Sequence, residues 1–369
     1  MKVEEIVFLD DGIRTGILPV SKNIQKFIAA EDGTVAERED AWENAVSHAT
    51  ISAAILNTLK EDVRIYDLKV LDDSGEGAPE RVRTALRWCL DRRKYFIHMS
   101  IGTINYHSYQ VFRREIKELV RREAVIVAAF HNWNVITFPA AEAGVIGVRK
   151  DRHAVLENNE YLCQDHIGLR AENSIVAGGE YVFTGPSGEK IHTFHANSFA
   201  APAMAGTIIR LAEGGKIDSF SRLMEKIKRN ARSKVYPEKL REELCPENEE
   251  LPFVILADLG DSHLKELNTI LGGKGYHTET FAEKFINDNY IPLSLYLSEE
   301  QRVNKNKTAL LGKIYEPDIL IFSCEAYLME DGAADAVLRE EKYGVSLSAD
   351  GRTVTYKNMS ELVEEIEKI

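Results

Sequence analysis

The chain has 369 residues, is 44% hydrophobic and 28% charged, and carries a formal net charge of -13. That length exceeds what one core normally supports and predicts two domains. The acidic balance argues against nucleic acid or an anionic membrane as partner, because both need a basic face, and no apolar run approaches bilayer length.

Taken in order, Met1-Lys2-Val3-Glu4-Glu5 leads straight into the apolar run Ile6-Val7-Phe8-Leu9, with no hydrophobic signal segment before it. That run is short, continuous and rich in β-formers, as expected of a strand buried on both faces of a parallel sheet. It ends at Asp10-Asp11-Gly12, a turn signal. The polar stretch from Ser21 to Asn44 predicts surface loop and helix. A helix with small residues facing inward is expected from Val46 through Leu56. Val63 to Leu71 reads as a strand running into the glycine-bearing loop Asp72-Asp73-Ser74-Gly75-Glu76-Gly77. An amphipathic helix follows from Pro79 to Arg93, then a strand from Tyr95 to Ser100, a helix from Tyr109 to Arg122 and a strand from Val125 to Ala129. This alternation predicts an α/β fold with a doubly wound, mostly parallel sheet, whose ligand site lies at the carboxyl ends of the strands. Asp10, Ser100 and Asn132 all fall at such ends.

The stretch His195 to Gly206 sends one polar turn into small apolar residues, the composition of a helix packed deep in a core. Ser198 falls at its first turn, where backbone N–H groups lack partners and the helix dipole is positive, which suits a nucleophile whose product is an oxyanion. A plain N-cap serine fits the same position.

From Tyr236 to Glu250 the composition turns acidic and reads as a linker between domains at 1–235 and 251–369. Beyond it, strands at Phe253–Leu256 and Ile319–Phe322, a helix from Ser262 to Leu271, a hairpin about Asp350-Gly351 and a helix from Ser360 to Ile369 predict a smaller C-terminal α/β domain. Gly260-Asp261-Ser262-His263 reads as a strand-to-helix turn capped by Asp261 or Ser262. Gly272-Gly273-Lys274-Gly275 reads as a helix end, since no Ser or Thr follows its lysine as a phosphate loop requires.

Asp10, His48, Asn132 and Ser198 supply in order an acid, a base, an amide donor and a hydroxyl nucleophile. Here a resemblance enters. Ile6 to Ile13 resembles the aspartate motif of the subtilisin-like serine proteases, Ser47-His48-Ala49-Thr50 their histidine motif, and Ala196 to Pro202 their serine motif. Lys69-Val70-Leu71 and His98-Met99-Ser100-Ile101-Gly102 are similar to the segments flanking their substrate. Val127 to Asn132 with Phe138-Pro139-Ala140 resembles their oxyanion-hole region. The resemblance covers residues 1 to about 230 and rests on several collinear motifs. It implies a serine endopeptidase with Ser198 as nucleophile, His48 as base, Asp10 orienting the imidazole and Asn132 stabilising the oxyanion. It also implies an extended peptide or protein substrate held by Gly75, Glu76, Gly77, Ser100, Ile101 and Gly102, with Ala129, Phe130 and His131 beside the first specificity pocket.

The departures are specific. Asp11 stands where the family has Ser or Thr, so two acids compete for the orienting role. Phe130 is bulky and His131 replaces a glycine, which bears on the shape of that pocket. The loop after the histidine helix, often a calcium site in the family, is missing, and no metal and no cofactor are expected. With four scattered cysteines (Cys89, Cys163, Cys245 and Cys324) and no leader expected, the chain reads as cytoplasmic. Asp72, Asp73 and Glu76 raise the expectation of Lys or Arg upstream of the cleaved bond, against a plain solvated turn. The C-terminal domain is expected to recognise substrate or mediate self-association. Maturation of one precursor peptide and general protein clearance are both open as uses. The rival from another class is a protease fold kept as a catalytically blunted peptide-binding module.

Overall fold

The computed structural model describes residues 5–39, 46–61, 63–132, 135–163, 173–193, 196–213, 219–233, 251–284, 289–297 and 301–369. His195, Cys245 and the expected linker lie outside them. The chain divides into two compact units, Met1–Glu242 and Glu243–Ile369.

In the first unit the elements run β1 (Glu5–Asp10), β2 (Ile24–Ala29), β3 (Val35–Glu37), α1 (His48–Leu59), β4 (Arg64–Lys69), α2 (Pro79–Asp91), β5 (Phe96–Met99), α3 (Tyr106–Arg121) and β6 (Val125–Ala129). They continue with β7 (Ile146–Lys150), β8 (Tyr161–Cys163), β9 (Ser174–Ala177), β10 (Val182–Thr184), β11 (Lys190–His192), α4 (Asn197–Glu213) and α5 (Phe220–Asn230). Among the described residues, nine of these strands form one sheet in the order β3-β2-β4-β1-β5-β6-β7-β9-β8. Only the edge pairs β2/β3 and β8/β9 are antiparallel; the rest are parallel. The fold is therefore α/β with a mostly parallel sheet. The expected loop and helix over Ser21–Asn44 is corrected by β2 and β3. These strands lie at the sheet's edge and stay half-exposed, so they carry Gln25, Lys26 and Glu37 without the apolar run of a central strand.

Alternation along β1 sorts its side chains between two faces. Ile6 and Phe8 join one cluster with Ala49 and Ala53 of α1 and Ala201, Ala205 and Ile208 of α4. Val7 and Leu9, equally buried, point the other way, toward α2. Close packing of α1 on α4 depends on small residues: a Cβ on Gly206 would lie 2.8 Å from Leu59 Cβ. Two helix starts also follow their sequence. Pro79 opens α2, where its missing N–H is no loss, and Asn105 caps α3 by accepting from Ser108 N.

The second unit contains β12 (Phe253–Asp258), α6 (Asp261–Gly273), β13 (Thr278–Ala282), β14 (Ile291–Pro292), α7 (Lys305–Tyr315), β15 (Ile319–Ser323), β16 (Ala336–Glu341), β17 (Gly344–Ala349), β18 (Arg352–Tyr356) and α8 (Met359–Ile366). Its sheet runs β14-β13-β15-β12-β16-β17-β18, parallel as far as β16 and antiparallel beyond. Asp350 and Gly351 both take positive φ, 48° and 74°, as the tight β17–β18 hairpin demands. The expected cap of α6 is corrected. Gly260 occupies the cap without a side-chain bond, and its N–H goes to the Glu340 carboxylate at 2.7 Å. No helix among the described residues is long and apolar enough to cross a membrane.

Candidate active site

Helix α1 begins at His48 because its first amides are all answered by side chains. Asp11 accepts from His48 N at 3.0 Å and from Ala49 N at 2.8 Å, and Ser47 Oγ accepts from Thr50 N at 3.2 Å. Ser47 Oγ in turn donates to Gly12 O at 2.7 Å, tying the helix start to the end of β1. The two acids therefore divide the work. Asp11 caps the helix, while Asp10, 1% exposed at the last position of β1, reaches the imidazole: its Oδ2 lies 2.9 Å from His48 Nδ1. Its other oxygen accepts from Asp11 N at 2.9 Å. A carboxylate there makes Nδ1 the protonated nitrogen and leaves Nε2 free to accept.

His48 Nε2 lies 2.9 Å from Ser198 Oγ. Burial pushes the imidazolium pKa down, but the Asp10 charge and hydrogen bond, with the Asp11 charge, outweigh it and hold His48 above its ordinary value. Burial first, and then the neighbouring Asp10 charge, raise the Asp11 carboxyl. The ring stays 30% exposed and stacks on Phe199 at 4.6 Å and 20°.

Ser198 occupies the second position of α4 and is half-buried, so its N–H is among the first helix amides without an intrahelical acceptor. Pro202 lies one turn on and lacks an N–H, leaving the Ser198 carbonyl without its helical donor. Ser100 Oγ donates to that carbonyl at 3.0 Å.

Asn132 follows β6 and is exposed. Its Oδ1 accepts from Asn197 N at 2.7 Å. The amide is thus oriented with Nδ2 as the donor left over. Asn197 is held in turn, since its Oδ1 accepts from Lys150 N at 2.9 Å and its Nδ2 donates to His131 O at 2.9 Å. Arg152 donates to Asn132 O. Asn197 and Arg152 are contacts of Asn132 that sequence reasoning missed. Asn197 sits next to Ser198 and could have been found there as a buried amide; Arg152 carries no sequence signal.

Gly75, Glu76, Gly77, Ile101 and Gly102 line one cleft of about 590 Å³. Leu71, Val82, Met99, Phe112 and Pro139 give it an apolar floor, with Asp72 and Arg81 at its edge. Ser100 does not line it. Ala129 and Phe130 do not either. Phe130 is 2% exposed, with its ring under the Arg149 guanidinium at 4.0 Å. Gly147 makes the room, because a Cβ there would meet Phe130 Cε2 at 2.4 Å. The bulk at 130 is therefore absorbed by the core. His131 is half-buried, which lowers its pKa, and its N–H goes to Thr137 Oγ1 at 2.8 Å.

Among the described residues no group of three or more His, Cys, Asp or Glu is placed to hold a metal ion.

No protein-family model matches the chain, and no curated protein sequence does. Solved structures similar to it include a cold-adapted subtilisin-like serine proteinase, with a TM-score of 0.46, 14% identity, and 62% of this chain and 84% of that one covered. A psychrophilic protease overlaps with a TM-score of 0.47 and 18% identity, over 61% of this chain and 82% of that one.

Proposed function

We propose that this chain is a serine endopeptidase. One observation carries the reading: Asp10, His48 and Ser198, far apart in sequence, form an unbroken hydrogen-bonded line with both links at 2.9 Å. A core histidine and an N-cap serine have no need of that line.

In this reading Ser198 Oγ attacks the scissile carbonyl carbon as its proton passes to His48 Nε2. Asp10 holds the imidazole tautomer and stabilises the imidazolium. The carbonyl oxygen becomes an oxyanion, met by Asn132 Nδ2 and the Ser198 N–H at the helix start. The tetrahedral adduct collapses as His48 returns its proton to the leaving amine. Water, deprotonated by His48, then hydrolyses the acyl-enzyme. The peptide lies extended between Gly75–Gly77 and Ser100–Gly102, adding a strand to each side. The blunted binding module is not favoured, since the base is aligned on the nucleophile.

A cytoplasmic site of action belongs to this proposal, supported by Cys89 and Cys324, both buried and outside any disulfide. So does a substrate-recognition or self-association role for the second unit.

A fluorophosphonate probe tests the chemistry directly. The expected result is a single adduct on Ser198, absent in Ser198→Ala, with peptide hydrolysis lost in step. Labelling elsewhere, or full hydrolysis by purified Ser198→Ala, overturns it.

A further inference from the structure

His98 lies in the middle of β5, between β1 and β6, and is wholly buried. Its ring packs on Phe8 at 4.5 Å. One of its nitrogens, Nε2, lies 2.8 Å from Ser100 Oγ. The other, Nδ1, is buried without a hydrogen-bond partner.

The direction of the His98–Ser100 bond follows from proton counting. Ser100 has a single hydroxyl proton. A carbonyl can only accept, so the bond from Ser100 Oγ to Ser198 O at 3.0 Å uses that proton. The Ser100 oxygen must then accept from His98, which puts a proton on His98 Nε2, and with Nδ1 buried and unanswered the imidazole is neutral. Burial agrees, pushing its pKa down to about 3. The bare Nδ1 is the consequence: a buried acceptor left unanswered costs stability, and an apolar side chain would suit the strand better. What the imidazole provides is a fixed donor, aimed at the hydroxyl that supports the nucleophile's own carbonyl. That carbonyl is the one Pro202 deprives of its helical partner.

We propose that His98 is a positioning residue for Ser198: through the Ser100 hydroxyl it holds the first turn of α4, and with it Ser198 Oγ and the Ser198 N–H, in register with His48 and Asn132. This rests on the serine-hydrolase reading above.

The test compares wild type with His98→Leu, His98→Gln, Ser100→Ala and the double variant His98→Leu/Ser100→Ala. The readouts are the rate of fluorophosphonate labelling at Ser198, kcat and KM on a chromogenic peptide, and melting temperature. His98→Leu and Ser100→Ala are each expected to slow labelling and kcat about tenfold with KM unchanged. The double variant should lose no more than either single one, because the two act through one link. His98→Gln, whose amide N–H replaces the lost donor, should recover most of the rate. Wild-type rates in His98→Leu at an undiminished melting temperature would overturn the proposal, as would additive losses in the double variant. If His98→Leu fails to fold, His98→Gln and Ser100→Ala decide: Gln at the Leu-like slow rate, or Ala at the wild-type rate, overturns it. Absence of labelling in the wild type itself is a different failure, that of the hydrolase reading, and takes this proposal with it.

Discussion

The backbone N–H of Asn197 donates to Asn132 Oδ1 at 2.7 Å, so the residue before Ser198 decides which end of the Asn132 amide is left unengaged. With Oδ1 engaged, Nδ2 is the end left to meet an oxyanion. Asn132→Leu should therefore lower kcat by about 10²–10³ with little change in KM, since this donor acts on charge that exists only in the transition state. Asn132→Asp keeps the acceptor for Asn197 and removes the donor, so it should lose as much. Steady-state kinetics decide. A raised KM at unchanged kcat would make Asn132 a binding residue.

Asp10 and Asp11 give a paired prediction. Asp10→Asn should lower kcat by about 10⁴ with the fold intact, because the imidazole loses the partner that sets its tautomer. Asp11→Ala removes a helix cap and should cost about 1 kcal/mol of stability, read as a lower denaturation midpoint. Its kcat should fall far less than that of Asp10→Asn. The reverse ranking would assign the orienting role to Asp11.

The pH dependence follows from the raised pKa of His48. The proposed mechanism needs the imidazole neutral, so kcat/KM should rise with pH through a limb above the ordinary histidine value of about 6.5. In Asp10→Asn the opposing burial effect is left, and the limb of the residual activity should move down. Stability runs the other way. The protonated His48 held by Asp10 contributes fully below the unfolded-state pKa, and that contribution fades as pH rises through the folded one. A pH-rate profile alongside melting curves tests both, and a limb that stays put in Asp10→Asn would contradict this account.

How much of this was legible in the sequence depends on where each residue sits. The central strands β1 and β6 carry unbroken apolar runs, and β5 one interrupted only by His98, so all three are read almost to the residue. So are the strand-end positions of Asp10, Ser100 and Asn132, because a parallel sheet puts its loops there. β7 is not legible. Its sequence Ile-Gly-Val-Arg-Lys looks half-solvated, yet Arg149 is 1% exposed and Lys150 5%. Local pattern cannot show a guanidinium buried over a phenyl ring supplied by the residue after β6. The same limit hides the division of labour between Asp10 and Asp11, which depends on where α1 starts in space. Asn197 hides for a related reason: its partners lie at 131 and 132, in the loop after β6, and at 150, the end of β7.

The last prediction concerns what the cleft takes. The sequence offers Asp72, Asp73 and Glu76 as attractors for a basic side chain, but the first two are already committed. Asp72 accepts from Ser74 Oγ, Ser74 N and Glu76 N at 2.6, 2.9 and 3.1 Å, closing the turn. Asp73 pairs with Lys69 at 2.6 Å and Arg14 at 3.4 Å. Those bonds, led by the Ser74 hydroxyl for Asp72 and by the Lys69 ammonium for Asp73, hold both carboxyls below the usual range. Only Glu76 is left at the rim, and it is exposed, where an ion pair is worth about 0–1 kcal/mol and is screened by salt. The floor of Leu71, Val82, Met99, Ile101 and Phe112 offers more, since full burial of one Leu or Phe side chain gives about 1.5–3 kcal/mol. Apolar burial should win. Peptides with Leu or Phe entering this cleft should exceed their Ala counterparts in kcat/KM by about tenfold, independent of salt. Lys in the same place should gain about twofold at most over a neutral residue, and Glu76→Gln should remove that gain. Cleavage-site mass spectrometry on a peptide library, run at low and high salt, reads the outcome. A dominant, salt-sensitive preference for Lys or Arg would show that the rim charge outweighs the floor.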